Sequence, residues 1–359
     1  MARNGRNTIF AGAVWGPGEH AARIKGGLFR LRPGATEWET VAGGLPERSG
    51  VQTITLHPND PKTIFIGTHD GPYRSTDGGE HWEKPDFPNK GAVIWSIAFH
   101  PTQPNVIFAG AAPVALYRSE DGGDTWQSIP QAKSPGHCER EGFNSRTICF
   151  TFNPARPDEL YMGIEVGGVL HSTDGGGSWS DVSSPLMELA QLPHLQNNVG
   201  GRHCGHCEGM LDTHAVAISR AAPGTAFLGV RMGIFRTDDG GASWQDTEVG
   251  RFSPLTYCRD LIVSPHDPDV FYAALSGAAV STEGSLYRSD DAAKTWKRID
   301  HGIEAKNTIV NLATHPTDAA VLYSVTRAGQ VIGTDDNGSS WREHLLPEGV
   351  NDVYAVACT

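Results

Sequence analysis

The stretch Ser119-Glu120-Asp121-Gly122-Gly123-Asp124-Thr125-Trp126 decides the fold, because its skeleton occurs six times in the chain. The other copies occupy 75–82, 172–179, 237–244, 289–296 and 334–341, and a degraded seventh runs over 28–38. In each copy an Asp can accept hydrogen bonds from neighbouring backbone N–H groups, the small pair permits positive φ, and the Trp packs where the chain re-enters a strand. That is a hairpin clasp. Successive tryptophans stand 44, 44, 53, 65, 52 and 45 residues apart, a unit of 44 with insertions in the middle copies. Upstream of each clasp lie two more strand-like runs, such as 51–57 and 63–67, separated by a Pro-bearing turn that begins at His57-Pro58 and recurs at His100-Pro101, Asn153-Pro154, Ser264-Pro265 and His315-Pro316. Four strands per unit at this period predict an all-β, seven-bladed β-propeller with four antiparallel strands per blade, its sheet edges protected by closing a ring. Residues 351–358 read as an innermost strand with no blade after it, and 7–14 as a second strand with no first before it. The C-terminal strand is therefore expected to join the N-terminal blade.

Composition bounds the function. The 359 residues carry 29 basic and 41 acidic side chains, a net charge of −12, with 43 Gly and 23 Pro to supply the many turns of short strands. No Lys/Arg block offers a footprint for a phosphate backbone, which excludes nucleic acid as the expected partner. No run approaches the roughly 18 apolar residues of a membrane span, and residues 1–5 lead into a strand-like segment without the apolar stretch of a secretory signal, so the expected compartment is the cytoplasm. One propeller domain over 1–359 is expected, with insertions at 130–145, 183–213 and 248–258 on the face opposite the clasps.

The repeated Ser/Thr-x-Asp-x-Gly-x-x-Trp pattern resembles the Asp-box, or BNR, repeat of the sialidase-like superfamily, whose propellers include glycosidases of xyloglucanase type, sortilin-type receptors and photosystem II assembly factors. The resemblance covers nearly the whole chain. It implies a structural role for the Asp-box, away from the ligand face, so Asp77, Asp121, Asp174, Asp239, Asp291 and Asp336 inherit no catalytic role. Sialidases also carry an Arg-Ile-Pro motif; the nearest stretch here, Ala22-Arg23-Ile24-Lys25, lacks the Pro.

Propeller topology sorts the remaining polar residues by face. His57, His81, His100, His171, His266, His315 and His344 fall in turns, clasps or outer strands, whereas His20, His69, His137, His194, His203, His206, His214 and His301 fall in the opposite loops or at strand starts beneath them. In the longest insertion, His203-Cys204-Gly205-His206-Cys207-Glu208 interleaves Cys-x-x-Cys with His-x-x-His, donors that suit a transition metal, zinc foremost. Cys138, Cys258, His137, His194 or His214 would complete the shell from other loops. Two ordinary thiols in a reducing compartment, or a redox-active pair, are the competing readings of the same residues.

A second set is charged. Arg146, His214 and Arg259 begin innermost strands, while Glu165, Arg231, Glu283 and Arg327 lie in second-to-third strand loops, so their side chains can meet near the channel mouth. Arginines there suit a small-molecule or anionic ligand through bidentate contacts, with His69 and Trp15 as further binding candidates. Glu165, Glu208 or His214 can act as general acid or base, with metal-bound water as nucleophile. Trp15 and Trp95 are candidate stacking platforms for a sugar or aromatic ring, with core packing the favoured role of Trp95. Three functions follow: a small-molecule or hydrolase/lyase-type site, metal-dependent in one version; a noncatalytic scaffold that grips a protein partner; and a glycoside hydrolase-like enzyme using paired carboxylates such as Glu165 and Glu283.

Overall fold

Residues 5–15, 25–137, 143–195 and 209–359 of the computed structural model are described here. Seven sheets surround one axis. Blade 1 has the order Val353–Cys358, Ile9–Ala13, Gly27–Leu31, Glu39–Val41, so the C-terminal strand does supply its innermost strand, paired antiparallel from Ile9 opposite Cys358 to Ala13 opposite Val353. Blades 3 to 7 begin with Val93–Phe99, Arg146–Phe152, Thr213–Ile218, Tyr257–Val263 and Ile309–Thr314, and each has four strands in meander order. Blade 2, begun by Val51–His57, is a three-stranded sheet whose outer position is reduced to one bridge between Arg74 and Glu83.

The clasps form as their chemistry requires. In the copy at 119–126, Ser119 Oγ donates to Asp121 Oδ1 at 2.8 Å and accepts from Gly123 N, while Asp121 accepts from the Thr125 backbone N–H and hydroxyl. Gly123 has φ +92, and a Cβ there would meet the ring of Phe65 in the preceding blade at 2.6 Å, so the glycine serves both the turn and the approach of neighbouring sheets. The blade 6 copy puts Ala292 and Ala293 at φ 56 and 63 in place of that pair. The turn residues at the ends of the innermost strands are equally local: His57, His100 and His315 each accept at Nδ1 a backbone N–H from two residues on, and Asn153 does so through Oδ1.

Insertion 183–213 opens with a helix, Ser184–Leu189, which the sequence reading did not contain. Leu186 of that helix is fully buried and joins the apolar cluster between blades 4 and 5.

Each innermost strand carries an irregularity in the same place, and that of blade 2 has a second between Leu56 and His57. Pairing with its neighbour slips by a residue between 51 and 53, 94 and 96, 147 and 149, 213 and 215, 258 and 260, 309 and 311, and, in the C-terminal strand, 353 and 355. The seven extra residues are Gln52, Trp95, Ile148, His214, Arg259, Val310 and Tyr354, and all seven line one chamber of about 130 Å³ on the ring axis. A bulge leaves its extra residue outside the ladder and re-aims the side chain. Here the re-aimed side chains fill the channel.

Two outcomes test this architecture. Asp121, Asp174, Asp239 and Asp336 are pulled from 3.8 to about 2, chiefly by the Thr or Ser hydroxyl each one accepts from and next by that residue's backbone N–H. Because the folded values lie below the unfolded ones, their contribution is complete above pH 4 or so and is lost as pH falls through about 2. The steepest loss in an acid denaturation followed by circular dichroism is expected in that window. Deleting residues 350–359 removes the innermost strand of blade 1, and the truncated chain is expected to lose its cooperative thermal transition in calorimetry; a sharp transition retained near the full-length temperature would contradict closure by this strand.

Candidate functional site at the channel mouth

The innermost strands start at the face opposite the clasps, and the second strands end there, so Arg146 lies directly across the ladder from Glu165. Around them, above the seven-residue chamber, opens a cavity of about 230 Å³. It is lined by Arg146, Arg231, Arg259 and Arg327 together with Glu165 and Asp212, and shares Arg259, Val310 and Tyr354 with the chamber beneath. Four guanidiniums from four blades therefore meet on one small volume.

The carboxylates fix the guanidiniums. Glu165 is buried and accepts from Arg259 Nη1 at 2.9 Å through Oε1 and from Arg146 Nε through Oε2. Burial alone would raise its pKa, but Arg259 and Arg146 outweigh that and hold it below the usual carboxylate range. Asp212 accepts from Arg231 at 2.8 Å and lies 3.3 Å from His214 Nε2; burial is again opposed, by His214, Arg231 and Arg259, and the carboxyl sits well below its ordinary value. Burial disfavours the charge on Arg259, yet its carboxylate and phenol neighbours, Glu165 first, push its pKa up. The Arg146 guanidinium lies 3.6 Å from the Trp95 ring centroid and 5.4 Å from that of Phe143, two cation–π contacts that restrict it. Arg327 is the most open of the four, bonded to Asp352 at 2.8 Å at the rim.

Below the mouth, Asp260 accepts from the Asn311 amide and from Leu312 N, each at 2.8 Å, and Asn311 in turn accepts from Val356 N at 2.9 Å. This stitch joins blades 6, 7 and 1. Burial raises Asp260 to about 6 despite the hydrogen bonds that favour its charge.

The candidate residues divide sharply. Arg146, Glu165, Arg231, Arg259 and Arg327 meet at the mouth, and His214 lines the chamber beneath. His203, Cys204, His206, Cys207, Cys138 and Glu208 lie outside the described residues. Cys258 lines neither cavity: it is fully buried, packs against Gly229, and burial pushes its thiol far up. His69 accepts the Gly50 N–H at 3.0 Å, a contact that ties the end of the second strand of blade 2 to the start of the first. Trp15 lines a separate groove over blade 1 under the Arg48 guanidinium. His137 and His194 pair with Asp181 and Asp246, away from the mouth. Glu283 is exposed and lines neither cavity, so it does not pair with Glu165. Trp95, expected in the core, faces the channel because it is a bulge residue.

Asp212, Tyr257, Phe143 and Tyr354 were missed. A signal for the channel residues was present: each bulge residue stands five positions before the polar residue that opens the following turn, as Trp95 before His100, Arg259 before Ser264 and Val310 before His315. Nothing comparable marks Asp212.

Donor atoms of Glu165, Asp212 and His214 lie within 4.8 Å of one another, all buried. Glu165 already accepts from Arg259 and Arg146, and Asp212 from Arg231, so a divalent ion among these donors would stand beside guanidiniums. The carboxylates already have their cations.

The class defined by this fold and mouth is a seven-bladed propeller with an arginine-lined axial cavity. The resemblance to BNR-repeat propellers of the sialidase-like kind holds in the comparisons with known proteins. A family model described as Sortilin, neurotensin receptor 3, matches residues 28–139. The chain is 26% identical over 285 residues to xyloglucanase Xgh74A of Acetivibrio thermocellus, covering 67% of this chain but 31% of that protein. It thus spans about a third of the curated relative. Among solved structures, the GH74 xyloglucanase from Xanthomonas campestris superposes with TM-score 0.64 at 17% identity, over 99% of this chain and 55% of that one. YCF48 from Cyanidioschyzon merolae gives 0.58 at 17% identity, over 86% and 88%, and a structure of YCF48 bound to D1 peptide gives 0.53 at 14%, over 84% and 82%.

Removing the charge of Glu165 leaves Arg259 buried without its partner. Glu165→Gln is expected to cost about 3 to 5 kcal/mol in denaturant unfolding, the range for breaking one side of a buried pair. A change within experimental error would mean that the pair is not desolvated in solution.

Proposed function

We propose that the channel mouth binds a small anionic ligand of sugar size, and that this is the site at which the protein acts. The observation that carries the reading is the convergence of four guanidiniums on a cavity of about 230 Å³, three of them pre-set by Glu165, Asp212 and the Trp95 and Phe143 rings. Pre-set planar donors meet a carboxylate or phosphate with little loss of side-chain entropy. The xyloglucanase relatives support a carbohydrate as the body of the ligand and keep a glycoside hydrolase-like activity in view. Glu165 and Asp212, both held ionised, supply no proton-donating acid for that chemistry. The scaffold reading has its support in YCF48 with its D1 peptide, but a small recessed cavity suits a compact ligand better than an extended chain. The transition metal expected from the 203–207 cluster remains a separate proposal, tested by elemental analysis of the purified protein; no step here is routed through it.

Titration calorimetry with hexuronates, inorganic phosphate and the corresponding neutral sugars tests the reading. An acidic ligand is expected to bind and its neutral counterpart not, with affinity falling as salt rises. Arg327→Ala is expected to weaken acid binding by about 1.5 to 3 kcal/mol, the worth of a hydrogen bond to a charged group. Equal binding of acidic and neutral sugars, or an Arg327→Ala protein that binds as the wild type does, would remove the arginine-based site.

A further inference from the structure

We propose that the Tyr354 hydroxyl reads the ligand at the mouth, and that with the four arginines it selects a sugar carrying one carboxylate, a hexuronate, over the corresponding sugar phosphate. The proposal rests on the anionic-ligand reading above and names its substrate class.

Three hydroxyls line the mouth among the described residues, those of Tyr257, Thr308 and Tyr354. Two of them are used within the protein. The Tyr257 hydroxyl lies 3.2 Å from His214 Nε2, and that of Thr308 donates to the Ala278 carbonyl at 2.9 Å while accepting from Ser281 N at 3.0 Å. Tyr354 differs. It reaches the mouth as the bulge residue of the C-terminal strand, and its ring is fixed there: the Trp95 ring meets it edge-on at 5.2 Å between centroids, and the Arg327 guanidinium lies 5.8 Å from its centroid. Its hydroxyl, however, has no hydrogen-bond partner among the described residues. A recessed donor without an internal partner is costly until water or a ligand satisfies it.

The neighbours set the direction of that hydrogen bond. Arg259 and Arg327 are the cations the phenol faces, and a guanidinium only donates, so the phenolic hydrogen is left for an acceptor. The protein's own acceptors at the mouth are taken: Glu165 by Arg259 and Arg146, Asp212 by Arg231, and Asp352 by Arg327. The acceptor that remains is the anion on which the guanidiniums converge. Tyr354 gives it a neutral donor between two charged ones.

Charge then separates the two kinds of anion. The four guanidiniums are bonded to three carboxylates, Glu165, Asp212 and Asp352, which leaves one positive charge over at the mouth. A carboxylate matches it. A phosphate monoester carries about 1.5 to 2 negative charges at pH 7, and the excess would stand beside Glu165 and Asp212, both buried and ionised.

Titration calorimetry on the full chain near neutral pH compares D-glucuronate, D-galacturonate and D-glucose 6-phosphate. At least one uronate is expected to bind roughly tenfold or more tighter than the phosphate. Tyr354→Phe is expected to weaken that uronate about ten- to a hundredfold, the loss of one hydrogen bond to a charged group, with the thermal transition unmoved because the deleted hydroxyl bonds nothing inside the protein. A transition that falls along with affinity in Tyr354→Phe assigns the hydroxyl a structural role and overturns the inference. If Tyr354→Phe does not fold, Tyr354→Val, the side chain that the same bulge carries in blade 7, takes its place. Phosphate bound as tightly as the uronates, or a variant that binds as the wild type does, also overturns it and leaves the anionic site standing. A lack of binding by all three compounds overturns the site and this inference together.

Discussion

One extra residue in each innermost strand is the constraint on which the site depends. In an unbroken strand, side chains alternate between the two neighbouring blades, and none is free to face the axis. The bulge releases one per blade at a common height, and the seven released side chains make the wall of the channel. Four of the seven are apolar or aromatic (Trp95, Ile148, Val310 and Tyr354), and three are polar (Gln52, His214 and Arg259), with His214 and Arg259 in adjacent blades. The chemistry of the mouth is thus asymmetric by choice of residue on a symmetric backbone. Blades 4 to 7 carry the mouth's guanidiniums and carboxylates, whereas blades 2, 3 and 1 give the chamber its amide and rings, Gln52, Trp95 and Tyr354.

A buried Arg259 needs that arrangement. A guanidinium at 9% exposure costs several kcal/mol of desolvation unless its partners are fixed in place. Glu165 is fixed by its position opposite Arg146 in the ladder, and Arg146 by two rings. The Arg146–Glu165–Arg259 chain therefore carries a net positive charge in a poorly solvated place and is compensated in part by Asp212. Such a surplus attracts an anion of complementary shape and offers little to a neutral one.

Much of this was legible in the chain, for reasons that also explain what was not. The clasps are local motifs: Asp121 and Gly123 act on residues within four positions, so their chemistry is written contiguously. The arginines were found by propeller topology, which says which loops share a face. Parity hid the rest. In Val93–Phe99 the buried residues are Ile94 on one side of the slip and Ser96 and Ile97 after it, so a period of two read across the bulge assigns Trp95 to the core. The count of histidines on the open face misled for a different reason: His69, His137 and His194 each satisfy a separate local contact, and only His214 among the described ones lines the axis. A shared face is necessary for a shared site but does not make one.

The same geometry explains why Asp212 and Tyr257 both reach His214 although one precedes its innermost strand and the other begins one. Thr213 and Tyr257 open the innermost strands of adjacent blades, so the two strand starts stand side by side at the mouth. The bulge at His214 turns its ring into the gap between them, within reach of both. Moving the slip by one residue would aim Thr213 or Ala215 there instead, breaking the link without changing any of the three ionisable residues. Where the bulge falls, more than which polar residues surround it, determines whether these groups meet.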